Sequence, residues 1–281
     1  MEISTNSQVL KNALNGDINA FQTLFAEFQN QLKSYLYRLL TDRNDTEDLV
    51  HDTFIKSFDK ISTFKGNSSL KTWVFQIATN LAYDHLKKYK RWQTDAQEKS
   101  RVLASGNADI QKAFLFIKSN ATSGAYEIKE HIDFCFTCIS KTLLIENQVA
   151  LILKDIYDFS VNDICLILAK SKGVVKHLLI NARKTMTTVF ENRCALINKN
   201  GVCHQCSELN GFFNPKKNQQ EELMKVDLVK ASKTFNREEL YNLRTTLVRE
   251  IDPLRSNGTD IQDIIMKCTR VAIGELEKLE I

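Results

Sequence analysis

The run DRNDTEDLVHDTFIKSFDKISTFKGNSSLKTWVFQIATNLAYDHLKK, residues 42–88, carries two amphipathic helical patterns around one short polar loop. Asp45 followed by Asp48 predicts a helix N-terminus with an acidic first turn. The helix so started buries Leu49, Val50, Phe54 and Phe58 and turns Glu47, Asp48, His51 and Asp52 outward. That outward face is either solvated or an anionic docking surface. In the loop that follows, Phe64 to Ser69, the residues Gly66, Asn67 and Ser68 permit a turn with exposed backbone amides. A second helix starts near Leu70. At 100° per residue, Leu70, Trp73, Val74, Ile77, Ala78 and Leu81 fall on its core side. Thr72, Gln76, Thr79, Tyr83 and Lys87 fall on the other, with Asn80 and Asp84 at the margin. The polar stripe runs into HLKKYKRW, where Lys87, Lys88, Lys90 and Arg91 interleave with Tyr89 and Trp92. Basic groups neutralise phosphates, and aromatic rings give unstacked bases a platform.

Upstream, Phe21, Leu24, Phe25, Phe28 and Leu32 recur at helical spacing, so residues 1–92 read as one helical domain. Residues 93–124 turn polar and are expected to form a linker. A second helical block covers 125–190. Within it, FSVNDICLILAKSKGVVKHLLINARKTM predicts two short helices around a tight turn at Ala169 to Ser171, with Ser171 as N-cap of the second. Val175, Leu178, Leu179, Ala182 and Met186 share one face of that helix, and Lys176, His177, Ile180, Asn181 and Lys184 the other. Five basic residues and no acidic one lie between Lys170 and Phe190, which suits a DNA major groove. An ordinary helical hairpin with a solvated basic face is the alternative. Residues 191–281 form a C-terminal extension: a loop-like, cysteine-bearing stretch, then helical periodicity at Leu240, Leu243, Leu247 and Ile251, and a break at Pro253 and Gly258 before a last helix.

Composition agrees. Of 281 residues 43% are apolar and 26% charged, and only 2 Pro and 9 Gly punctuate the chain, so an all-α protein is expected: two small helical domains joined by a linker, plus a helical extension. A net charge of +4 is too mild to indicate a nucleic-acid partner by itself. Neither a membrane span nor a signal peptide is visible, and a cytoplasmic protein is expected. Seven cysteines then point to thiols or a metal site rather than disulfides. Cys135 with Cys138 and Cys203 with Cys206 have the spacing of a structural zinc site, with Cys194 and His204 as spare ligands. Buried thiols acting as small hydrophobes are the equal alternative. No phosphate-binding loop, catalytic His/Asp/Ser grouping or metal-hydrolase motif is present, so no enzyme is expected.

Residues 42–88 resemble, without a gap, region 2 of extracytoplasmic-function (ECF) sigma factors in the sigma-70 family. The resemblance implies a subunit that gives core RNA polymerase its promoter specificity at transcription initiation. It implies docking of the acidic helix on the beta-prime clamp through Asp45, Glu47, Asp48, Leu49, Asp52 and Phe54. It further implies capture of the melted −10 element of promoter DNA by Phe64, Lys65, Gly66, Asn67, Ser68, Lys71, Thr72, Asn80 and Asp84, extended by Lys87 and Lys88. The order Ser160, Asp163, Ile164, then Ser171, Gly173, Val175, Lys176, Ala182 and Arg183 is similar to region 4, which reads the −35 element and meets the beta flap. Ser171, Lys172, Gly173, Lys176, His177, Ile180, Asn181, Arg183 and Lys184 are the candidates there. Val174, His177, Leu178 and Asn181 depart from the threonine, serine and arginines common in the family, so fewer charges meet the DNA. FCFTC and CALINKNGVCHQC look like a subgroup carrying a C-terminal extension, whose helices pack on the body, bind an anti-sigma regulator or cover DNA-binding residues. The rivals are a stand-alone helix-turn-helix regulator of duplex DNA and a metal- or redox-sensing interaction protein.

Overall fold

The computed structural model describes residues 2–88, 92, 93, 95–120, 128–194, 236–255 and 259–278. Every regular element among them is helical. Contacts divide the chain into two units, residues 1–89 with 149–179, and 90–148 with 180–281.

In the first unit α1 (Glu2–Leu14), α2 (Ile18–Leu40), α3 (Arg43–Asp59) and α4 (Leu70–Leu86) pack around an aromatic core. Asp17 caps α2 by accepting from the amides of Asn19 and Ala20. The i, i+3, i+4 series Phe21, Leu24, Phe25, Phe28 and Leu32 is buried along one face of α2. The Phe54 ring lies 5.3 Å from Phe21 and 5.2 Å from Phe25, closing α3 on α2. Asp42, not Asp45, caps α3: its backbone is extended and its carboxylate accepts from the Asp45 amide at 3.0 Å. Asp45 instead sits in the first turn and meets His85 of α4 at 3.2 Å.

The face of α4 also differs from the expectation. Its buried residues are Thr72, Val74, Phe75, Ala78, Thr79 and Ala82, whereas Leu70, Trp73, Ile77 and Leu81 are only half-buried. Phe75 is the pivot, with its ring against Phe28, Tyr35 and Phe159. Thr79 turns inward at little cost because its hydroxyl donates to the Phe75 carbonyl at 2.7 Å and accepts from Tyr35 at 2.8 Å. Burial pushes the Tyr35 hydroxyl well above its ordinary pKa, so it remains a donor.

The unit is completed from far along the sequence. α8 (Ile145–Leu151) runs into a π-helical turn, Ile152–Ile156, followed by α9 (Val161–Leu168) and the start of α10 (Lys172–Arg193). Tyr157 is held by Arg38, whose Nε donates to its hydroxyl at 3.3 Å, and stands edge-on to Tyr35. Ser160 caps α9, and Ala169 ends it in the left-handed region at φ 52°. The expected turn and Ser171 cap are present, the Val174 amide donating to Ser171 at 3.4 Å, but α10 is long, at 22 residues.

In the second unit, the stretch expected as linker forms α5 (Ala96–Gly106) and α6 (Ala108–Asn120). Both pack against α12 (Thr259–Ala272), while α7 (Ile128–Ser140) packs against α11 (Arg237–Arg249), which opens on a capping box of Asn236 and Glu239. The described helices of the extension therefore pack on α5, α6 and α7 within this unit. Trp92, Ala96, Phe134, Cys138 and Met266 form one core cluster. Trp92, read from sequence with the nucleic-acid cluster, is only 2% exposed. Its Nε1 donates to Glu275 at 3.1 Å and the Lys141 ammonium lies 4.9 Å over its ring. Glu275 also meets Arg270 at 3.6 Å, and burial outweighs Arg270, Lys141 and Trp92 to raise its pKa.

Candidate nucleic-acid interface

Three surfaces carry the residues singled out above. On α3, Glu47, Asp48 and Asp52 are exposed. Glu47 borders a groove of 280 Å³ whose walls include Phe25, Val50, His51 and Phe54. Lys33 of α2 forms an ion pair with Glu47. Asp45 is half-buried, and Leu49, 7% exposed, belongs to the core. The surface is thus an acidic rim around the half-buried Phe54, suited to a partner with basic and apolar groups.

The second surface is the loop before α4. Gly66 has φ +72°, where a side chain strains the backbone, and its neighbourhood is open. The turn leads to Ser69, which caps α4 by accepting from the Thr72 amide at 3.0 Å. Phe64 folds back to 5.5 Å from Trp73, and between loop and helix lies a pocket of 220 Å³ bordered by Phe64, Lys65, Asn67, Thr72, Trp73 and Gln76. Lys65, Gly66 and Asn67 are exposed beside it, with Ser68 half-buried. Aromatic rings, amides and a lysine in one concavity can hold an unstacked base and its phosphate. Trp73 and Gln76 line this pocket although sequence reasoning assigned them no such role. The signal was there: Trp73 follows Thr72, and Gln76 lies one turn further along the stripe.

The remaining candidates on α4 are not part of that pocket. Asn80 and Asp84 come 8 and 12 residues after Thr72, roughly 12 and 18 Å along the axis. Lys87 donates to Asp84 at 2.7 Å and holds that carboxyl below its usual range, while Lys88 is exposed at the helix end. Lys71 is half-buried, its ammonium 4.9 Å over the Phe159 ring, and burial lowers its pKa.

The third surface is α10. Val175, Leu179, Ala182 and Met186 are buried as expected, whereas Leu178, expected with them, is only half-buried. Ser171, Lys172, Gly173, Lys176, His177, Asn181, Arg183 and Lys184 are exposed, and Ile180 is 63% exposed. A helix face of this kind offers donors for phosphates and base edges and one apolar side chain for a thymine methyl.

Of the cysteines, Cys203 and Cys206 lie outside the described residues, as does His204. Cys135 and Cys138 are buried on α7, and the Cys138 thiol points into the core at 3.6 Å from the Met266 sulfur. As placed, Cys138 fits a core thiol better than a metal ligand. Among the described residues no three His, Cys, Asp or Glu side chains are grouped to hold an ion. No described helix is long and apolar enough to cross a membrane.

Residues 24–92 match the family of sigma-70 region 2. The match takes in α3, the loop and α4 together. The chain is similar to the RNA polymerase sigma-H factor of Pseudomonas aeruginosa, at 22% identity over 186 residues, 66% of this chain and 94% of that protein. It is 28% identical to the ECF RNA polymerase sigma factor SigX of Bacillus subtilis over 158 residues, 56% of this chain and 76% of that one. It is 35% identical to the ECF RNA polymerase sigma-E factor of Haemophilus influenzae over 82 residues, 29% of this chain and 43% of that one. Alignments of 186 and 158 residues necessarily run beyond region 2. The regular elements among the described residues are helical, as is the family that residues 24–92 match. Residues 24–92 thus carry a sigma-70 region 2, and the chain is similar to RNA polymerase sigma factors, those of the ECF type among them.

Proposed function

We propose that this protein acts in the cytoplasm as a promoter-specificity subunit, bringing core RNA polymerase to promoter DNA and helping to open it, with no bond chemistry of its own. The acidic rim of α3 grips the polymerase clamp through Glu47, Asp48 and Asp52 around Phe54. The pocket between the 64–69 loop and α4 takes a base of the melted −10 strand, Phe64 and Trp73 providing the walls and Lys65 the phosphate contact. The exposed face of α10, from Lys176 to Lys184, reads −35 duplex and leaves the flap as the docking site for the same domain. The observation that carries this reading is the match of residues 24–92 to region 2, which spans α3 and the loop pocket together. A stand-alone regulator of duplex DNA gives neither feature a task.

Reconstitution is the test. Added to core polymerase, the protein should yield transcription from genomic promoter fragments that core alone leaves silent. Absence of any complex with core would overturn the reading. Reversal of charge by Asp48→Lys should weaken core binding while leaving duplex binding by α10 intact. The helical extension is the natural seat for a regulator such as an anti-sigma protein. The reading requires no cofactor, and zinc analysis of the reduced protein decides whether the cysteines hold one.

A further inference from the structure

Within the second unit one arginine is buried with no acid beside it. Arg244 of α11 is 3% exposed, its guanidinium lies 3.5 Å over the Phe190 ring of α10, and among the described residues no carboxylate pairs with it. The acids at this end of α10 are spent elsewhere, Glu191 on Arg237 at 2.7 Å and Glu98 of α5 on Arg193 at 3.4 Å. Arg244 donates instead through Nη2 to the Cys194 sulfur at 4.0 Å, and its buried Nε–H has no partner. Nη2 and Nε share one edge of the guanidinium, the fork that grips paired anionic oxygens. Here one prong rests on a thiol and the other is empty. An unsatisfied buried donor is costly, so the site is short of an acceptor beside the sulfur.

Other buried thiols of the unit are set differently. Cys138 faces the Met266 sulfur, and burial pushes the Cys268 thiol up to about 11. Those two are 1% and 0% exposed, whereas Cys194 keeps 7% of its surface in solvent. A cysteine beside a cation and within reach of solvent is the kind that oxidants attack first. Cys194 also follows the last turn of α10, its amide donating to the Phe190 carbonyl at 2.9 Å. The partial negative charge of a helix C-terminus opposes an anion there, so an anionic sulfur group at 194 depends on Arg244.

We propose that Cys194 is a site of oxidation by hydrogen peroxide, and that the Arg244 fork holds the oxygens added to its sulfur. A sulfur lone pair attacks one peroxide oxygen; the S–O bond forms, the O–O bond breaks, and the departing hydroxide takes the thiol proton and leaves as water. Sulfur gives up two electrons to the peroxide and becomes a sulfenic acid. A second peroxide reacts in the same way and leaves a sulfinic acid, which ionises and sets its two oxygens against the two prongs. A weak N–H···S contact between α11 and the end of α10 is thereby replaced by a charged, two-bonded pair. The inference goes beyond the proposed function and stands if that reading fails.

The test uses the full-length protein, reduced, stripped of metal with a chelator and exposed to limited hydrogen peroxide over a time course. Mass spectrometry of its peptides counts the oxygens on each cysteine. Cys194 should gain oxygen at least about tenfold faster than Cys138 and Cys268 in the same samples. Arg244→Met, which keeps the length of the side chain but removes the fork, should slow Cys194 by about tenfold, and Arg244→Lys, which keeps only the charge, should fall between. Thermal unfolding adds a readout that lost packing alone would not move. Oxidation should raise Tm in the unaltered protein, lower it in Arg244→Met and leave it unchanged in Cys194→Ser. Circular dichroism checks that each variant folds; should Arg244→Met not fold, the ranking of the three cysteines and the Cys194→Ser comparison still decide. Cys194 reacting no faster than Cys138 or Cys268, a folded Arg244→Met reacting as fast as the unaltered protein, or a Tm that falls on oxidation with Arg244 in place would each overturn the site. A zinc-loaded sample is run alongside, and Cys194 shielded from peroxide there would make it a metal ligand and overturn the proposal as well.

Discussion

α4 and α10 are both candidate DNA-reading helices, yet they keep their polar residues in opposite ways. On α10 the polar residues from Lys172 to Lys184 stand in solvent, with Val174 and Ile180 exposed among them, while Val175, Leu179 and Ala182 are buried. On α4 the polar residues nearest the loop, Lys71, Thr72 and Gln76, are spent on the segment 157–168, and two threonines lie in the core. A helix that reads duplex through a groove needs only an exposed face. A helix that captures single strand needs a shaped pocket, and the same shape accepts a helix of its own chain.

The contrast can be broken first through the core. Phe75→Ala removes a ring packed on three others and should cost about 3 to 5 kcal/mol in urea unfolding, whereas Ile180→Ala on α10 should cost under about 0.5 kcal/mol. Equal costs would mean that α4 is not the buried member of the pair. Thr72→Val removes one of the two hydroxyl donors of the Asp163 carboxylate, leaving that of Ser160, and is expected to lower stability by about 1 kcal/mol. Lys176→Ala should weaken duplex binding some five- to tenfold and reduce the salt slope by about 1, with unfolding unchanged; an unaltered slope in a salt titration would remove Lys176 from the phosphate contacts. The smallest effect concerns Glu275. Its raised pKa means that the folded chain holds this proton more tightly than the unfolded one, so stability is greatest below the ordinary carboxylate pKa and declines as pH rises through the raised value. Glu275→Gln should flatten that part of the pH–stability profile.

How far the sequence could be read follows from these same helices. The buried face of α10 is legible because Val175, Leu179, Ala182 and Met186 recur at helical spacing and all point one way. On α4 the hydrophobic count favours Trp73, Ile77 and Leu81, while the buried stripe consists of Val74 and Phe75 with alanines and threonines whose hydroxyls find partners, Thr79 on the Phe75 carbonyl and Thr72 on Asp163. The helices α5 and α6 were taken for linker because they bury few large residues: Ala96, Ser100 and Ile110 are covered by α12, more than a hundred residues later. The acidic rim and the loop turn were evident from Glu47, Asp48, Asp52 and Gly66. The packing of α9 on α4 was not, since one of its two hydrogen bonds ends on a backbone carbonyl, which any residue supplies, and both span about 90 positions.

The bond between Trp92 and Glu275 bridges 183 residues, and its consequence falls during synthesis. At ~5–20 residues per second a ribosome needs about 10 to 40 s to travel from one partner to the other. Throughout that interval the indole ring and the small-residue faces of α5 and α6 lack the helix that shields them. Residue 275 therefore marks the moment at which the second unit can close, and a nascent chain that stalls before it presents a bare tryptophan to the chaperones and proteases around the ribosome.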